Sequence, residues 1–168
     1  MQTLYSIVMT APVEVNPSLS REAIDGSKLA VVAIKPLVEN EDAEIIINAV
    51  SSMAENDRLE MSSPTTTTLD EDAVVALYPR IFEEWGNDDI GLDQLRYCQE
   101  LIEYMTSGEI AVYVLHGVNA ADKALELKAE IRNKLGGCDS QRVRNFVHVP
   151  DEHEVELSLS ALLGVEIE

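Results

Sequence analysis

The chain alternates between short continuous apolar runs and longer segments in which apolar residues recur every three or four positions. Leu29-Ala30-Val31-Val32-Ala33-Ile34 is the first run, rich in β-branched residues and bounded by Gly26 before it and Lys35-Pro36 after it. That pattern predicts a central strand buried on both faces. Glu109 to His116 is a second strong buried strand, stopped by Gly117. Ahead of Ile46, Ala49, Val50 and Met53, which step at helical spacing, Asn40-Glu41-Asp42 supplies acids that suit a helix start. Arg58 to Thr68 is strand-like through its threonines, with Thr65 to Thr68 at a strand edge or in a loop. Asp70 is then placed to cap a helix over Glu71 to Tyr78.

Further along, Gly86-Asn87-Asp88-Asp89 reads as a solvated acidic turn, and Leu92, Leu95, Cys98, Ile102 and Met105 form one apolar stripe that ends at Ser107-Gly108. Ala120, Ala124, Leu127, Ile131 and Leu135 predict another helix, stopped by Gly136-Gly137. Arg144 to His148 reads as a short strand, and Asp151 as the cap of a last helix running to about Leu163. The resulting alternation of strands and helices predicts an α+β fold, a ferredoxin-like sandwich with an antiparallel sheet and helices on its faces. Residues 1–27 scatter Pro12, Asn16, Pro17, Ser18 and Ser20 among short apolar pieces and read as an N-terminal extension, which leaves residues 28–168 as the domain.

Composition narrows the function classes. A length of 168 residues with 46% hydrophobic side chains suits one core, and no stretch is long enough to cross a membrane. Met1 to Pro12 has an apolar patch but no basic segment, so the expectation is a cytoplasmic protein without a secretory signal. Cys98 and Cys138 lie far apart without CxxC spacing, which argues against a disulfide framework and a structural zinc site. Thirty-one acids against twelve bases give a formal net charge of −19. Such a field repels nucleic acids and anionic membranes, and any nucleotide site in it needs a local cationic cluster or a bound cation.

Only three histidines occur, His116, His148 and His153, and no serine or cysteine sits in a recognisable nucleophile motif. His148 ends an apolar strand between polar flanks, in Arg144-Asn145-Phe146-Val147-His148-Val149-Pro150-Asp151. From spacing alone it reads first as a core histidine closing a strand, with catalysis as the alternative. A metal site of His148, Glu152, His153 and Glu154 has no recognisable ligand spacing, so these acids read as a solvated helix start and no metal ligands are assigned.

Four segments in order change that weighting: Ala33-Ile34-Lys35-Pro36, Tyr104-Met105-Thr106-Ser107-Gly108, His116-Gly117-Val118-Asn119-Ala120, and the Arg144 to Asp151 segment. Together they resemble the nucleoside diphosphate kinase family over about residues 28–163. The resemblance implies that His148 carries a phosphoryl group as phosphohistidine between a nucleoside triphosphate such as ATP and a nucleoside diphosphate, with Mg²⁺ brought by the nucleotide. It further implies that Lys35 neutralises charge on the phosphate or binds the sugar hydroxyl and that Asn145 bonds the ribose or terminal oxygens. Tyr97 falls where the family stacks an aromatic on the base, and Tyr78 near a family tyrosine close to the phosphates; both also read as packing residues. A homo-oligomer is implied as well.

This chain also departs from the family. The phosphate-binding arginine and threonine of the helix after Asn119 fall near Leu125 and Ile131, leaving Lys123, Lys128 and Arg132 as substitutes. The loop before the catalytic strand is shortened to residues 135–141, with Arg142 and Arg144 as the nearby cations. Val149-Pro150 replaces a glycine-serine pair, and Leu157 to Ser160 stand where the family carries an acid that orients the histidine. The expectation is a nucleoside diphosphate kinase-like phosphotransferase with His148 catalytic and Lys35, Tyr97, Arg132, Arg142, Arg144 and Asn145 binding nucleotide. The alternative is a catalytically degenerate nucleotide-binding or protein-interaction module of the same fold.

Overall fold

The computed structural model describes residues 28–83, 90–135 and 145–164. Its centre is β1 (Leu29–Ile34), six consecutive buried residues. The strand is apolar throughout because both faces are covered. Leu29, Val31 and Ala33 face one hydrophobic cluster, and Ala30, Val32 and Ile34 face another. Burying each valine stabilises the fold by about 1.5–3 kcal/mol before the entropy of ordering is subtracted.

Antiparallel to β1 on one side lies β4 (Ile110–His116), in the register Leu29 with His116 through Ile34 with Ala111. On the other side lies β5 (Val147–His148), pairing Ala33 with His148 and Ile34 with Val147. The far edge of β4 is covered by β2 (Glu60–Met61) and β3 (Thr65–Thr67), both antiparallel to it. The predicted strand over residues 58–68 is therefore two short pieces. Pro64 lacks the N–H that a ladder needs, and at the break Ser62 takes over by donating its N–H to the Val114 carbonyl and accepting the Val114 N–H on Oγ. Counting β2 and β3 as one interrupted edge, the strand order is the antiparallel arrangement of a ferredoxin-like sandwich.

Helices cover both faces. α1 (Asn40–Asn56) buries Ile46, Val50 and Ala54, and α5 (Ala120–Leu135) buries Ala124, Leu127 and Ile131 against the cluster on one side. α2 (Glu71–Leu77), α4 (Leu92–Met105) and α6 (Val155–Leu163) fill the other side with Val74, Leu101, Met105, Leu159 and Leu162. α2 starts where expected, Asp70 Oδ1 accepting the Ala73 N–H at 2.8 Å. A short α3 (Pro79–Phe82) follows it, unanticipated from the pattern, with Pro79 at its start. Gly117 ends β4 at φ +155°, where a Cβ would come within 2.6 Å of Leu59 Cδ2.

Two further expectations are corrected. The strand predicted over residues 144–148 contains only Val147 and His148, because Phe146 takes a positive φ of 41° and breaks the extended run. Asp151 does not cap the last helix with its side chain; its carboxylate faces Arg80, its carbonyl accepts the Glu154 N–H, and a 3₁₀ turn (Glu152–Glu154) precedes α6. The extension at residues 1–27, the Gly86 to Asp89 turn, the Gly136-Gly137 stop and the shortened loop with Arg142 and Arg144 lie outside the described residues. No described helix is long and apolar enough to cross a membrane.

Removing the α2 cap isolates one local contribution. Asp70→Ala is expected to lower stability by about 1 kcal/mol, read as a lower urea midpoint at unchanged slope.

Candidate functional site

The end of β1 organises the site. Lys35 follows the strand directly, and its N–H donates to the Phe146 carbonyl at 2.9 Å, extending the β1–β5 ladder by one bond. Leu37, in the left-handed region at φ 59°, turns the chain away, leaving the lysine at the ladder's end. Across from it, the Val147 N–H donates to the Asn145 carbonyl, closing a tight turn about Phe146. That turn brings Asn145 back toward β1, where its Oδ1 accepts from Lys35 Nζ at 2.6 Å. His148, two residues beyond the turn, sits beside Ala33 and is only 8% exposed.

These side chains open onto a cleft of about 230 Å³. Tyr78, at the junction of α2 and α3, packs edge-on against the His148 ring with centroids 4.9 Å apart, and Lys35 Nζ lies 5.5 Å from the tyrosine ring centre. The tyrosine hydroxyl points to Met105 Sδ at 3.8 Å. α4 contributes Tyr97 and Leu101 to the wall. From α5 come Lys128 and Arg132, which face the cleft together because they are four residues apart on one helix. Lys128 Nζ donates to the Val149 carbonyl at 2.8 Å. Arg80, Asp151 and Glu154 form the rim, with Arg80 Nε 3.2 Å from Glu154 and its guanidinium also bonded to His153.

Four of the chain's twelve bases, Lys35, Arg80, Lys128 and Arg132, line this one cleft in a protein of net charge −19. The local field therefore has the opposite sign to the global one and suits an anionic ligand. Burial, then the charges of Arg132 and Lys128, pushes Lys35 down to about 7. Burial likewise lowers Lys128, helped by Arg132 and opposed by Asp151 and Glu154. Burial is also the first cause for His148, followed by Lys35, Lys128 and Arg132, and holds the imidazole well below its ordinary value. A neutral ring with an available lone pair results. Tyr78 is raised, chiefly by burial, and stays a phenol.

The structure thus brings together His148, Lys35, Tyr97, Arg132 and Asn145 from the predicted set; Arg142 and Arg144 are outside the described residues. Lys123 is elsewhere, paired with Asp57 and Glu126. Sequence reasoning did not assign Arg80, Lys128 or Ser158 to the site. Ser158 Oγ lies 3.4 Å from His148 Nε2, on the side of the ring away from the cleft lining. The i,i+4 spacing of Lys128 and Arg132 was a usable signal, whereas nothing local connects Arg80 of α3 with the 3₁₀ turn it bridges to. Asp151, His153 and Glu154 bring ligand-type atoms within 4.8 Å of one another, but Arg80 already reaches all three.

Solved structures share this architecture. The nucleoside diphosphate kinase of Aquifex aeolicus superposes with TM-score 0.57 at 15% identity, covering 84% of this chain and 99% of that one. A halophilic nucleoside diphosphate kinase from Halobacterium salinarum, in complex with CDP, gives 0.55 at 16% identity over 80% of this chain and 86% of that one. The apo enzyme of Encephalitozoon cuniculi gives 0.58 at 15% identity over 84% and 92%. No protein-family model matches the chain, and no curated protein matches it by sequence.

His148 should remain unprotonated through the range in which histidine ordinarily titrates. Its ring proton resonances, assigned with His148→Gln, are expected to stay fixed from pH 8 to 6; a midpoint near 6.5 would contradict the burial argument. The sign of the linked stability follows: below about pH 6.5 the unfolded chain takes up a proton that the folded site refuses, so acidification destabilises the wild type more than His148→Gln.

Proposed function

We propose that this chain, which has the fold of the nucleoside diphosphate kinases, is a phosphotransferase that moves the γ-phosphate of a nucleoside triphosphate to a nucleoside diphosphate through a phosphohistidine at His148. The observation that carries the reading is the neutral, buried imidazole set among Lys35, Lys128 and Arg132 in one cleft. Because Nε2 faces Ser158, Nδ1 is the nitrogen left for the ligand. Its lone pair attacks the γ-phosphorus as the bond to the diphosphate oxygen breaks, and the nucleoside diphosphate departs. A terminal oxygen of a second diphosphate then attacks the same phosphorus and frees the ring.

Phosphoryl transfer asks for position and charge more than for bond-making help. Lys35 is held by Asn145 within reach of the histidine, and with a value of about 7 it gains its proton readily when a phosphate adds negative charge beside it. Lys128 and Arg132 supply two further donors that meet charge as it shifts to the leaving oxygens. Tyr78 limits rotation of the imidazole by packing against its edge. Tyr97 offers a ring on which a base can stack.

The cleft suits Mg²⁺ that arrives with the nucleotide. Its walls present cations and an imidazole, and its carboxylates, Asp151 and Glu154, are engaged by Arg80. When bound, the ion would neutralise phosphate charge and shape the polyphosphate, while the protein holds its oxygens through Lys35, Lys128 and Arg132.

The degenerate nucleotide-binding reading is favoured by one observation: His148 is oriented by a neutral hydroxyl at 3.4 Å and not by a charged partner. Labelling separates the two. Incubation with γ-labelled ATP and Mg²⁺ is expected to give an acid-labile, alkali-stable label that moves to added diphosphate and is absent in His148→Ala. Lys35→Ala and Arg132→Ala should slow labelling by about 100-fold each. Nucleotide that raises the melting temperature without any label would support the binding module and overturn the phosphotransferase.

A further inference from the structure

We infer that Ser158 is a positioning residue that fixes the tautomer of His148. The kinetic consequence rests on the phosphohistidine reading; the geometry does not. Setting tyrosine and cysteine aside, the buried polar or charged side chains among the described residues are Lys35, His148 and Ser158. Two of these belong to the cleft already. The third touches one of them.

α6 buries Val155, Ser158, Leu159 and Leu162, one face at helical spacing that packs into the apolar cluster beneath the sheet. Position 158 is thus a core position, where an apolar side chain is the default and a hydroxyl needs a partner. Ser158 is 1% exposed, and its Oγ lies 3.4 Å from His148 Nε2. It does not line the cleft, so it cannot reach a bound nucleotide and can act only through the ring.

Two influences then select the same tautomer. With the proton on Nε2, that N–H donates to Oγ while the Nδ1 lone pair is left toward the cations of Lys35, Lys128 and Arg132. With the proton on Nδ1, an N–H dipole would oppose those cations. When Nδ1 gains the phosphoryl group, the P–O bond to the leaving diphosphate breaks and no proton moves. Nε2 keeps its hydrogen, which Ser158 continues to accept. A hydroxyl performs this orientation without adding negative charge beside the ring, so the imidazole stays neutral and nucleophilic before the ligand arrives.

The test uses the full chain with ¹⁵N-labelled histidine, as wild type, Ser158→Ala and Ser158→Thr, at pH 7.5. Long-range ¹⁵N–¹H correlations should show His148 as the Nε2–H tautomer in the wild type, a mixture in the alanine variant, and recovery in the threonine variant. Labelling by γ-labelled ATP should slow about 10- to 100-fold in Ser158→Ala at unchanged KM, because the residue touches no substrate, and recover with threonine. An Nε2–H tautomer unchanged in Ser158→Ala overturns the inference, whatever the labelling shows. If the wild type takes no label while the tautomer shifts in the variant, the phosphotransferase reading fails and the positioning role stands.

Discussion

Two residue pairs, Ala33 with His148 and Ile34 with Val147, hold β5 against β1, and the cleft is assembled around that short ladder. A slip of one residue would reverse which face of the sheet His148 and Val147 meet. Val147 is fully buried in the α1 and α5 cluster, and this anchoring resists such a slip. The extra bond from Lys35 N–H to the Phe146 carbonyl locks the register at the point where the chain turns. Lys35, Asn145 and His148 therefore meet because of backbone pairing, and their side-chain bonds are consequences of it.

The same placement creates the electrostatic character of the site. A lysine and a histidine that share a buried corner with Lys128 and Arg132 cannot all hold their ordinary charge, and the cost falls on the groups most easily neutralised. Arg132 keeps its proton; Lys35 and His148 give way. What results is a cleft tuned between states, neutral enough to remain folded without a ligand and ready to become more positive when an anion arrives. Acids elsewhere in the chain set the overall field, while Asp151 and Glu154 moderate it at the rim through Arg80.

Legibility followed the range of each interaction. The two buried strands, the four longer helices and the Asp70 cap were readable because each is encoded within a few residues, by periodicity or by a single cap. Errors came where long-range geometry overrode local pattern. Phe146 reads as strand and adopts a positive φ, since the tight turn must bring Asn145 to Lys35. Asp151 reads as a cap and is drawn to Arg80 instead. α3 is too short to show a period at all.

The sequence by itself determined which residues could carry chemistry: a histidine at a strand end, a lysine after a buried strand, and a helix bearing Lys128 and Arg132 four residues apart. It also determined that any anionic ligand would need a local cluster against a net charge of −19. Only the tertiary structure decided that these cations converge on His148, that Tyr78 packs against its ring, and that Ser158, read locally as one more residue of an apolar helix face, supplies its hydrogen-bond partner. The reason is distance along the chain. Lys35 and Asn145 are 110 residues apart, and a contact of that separation leaves no periodic trace in either segment.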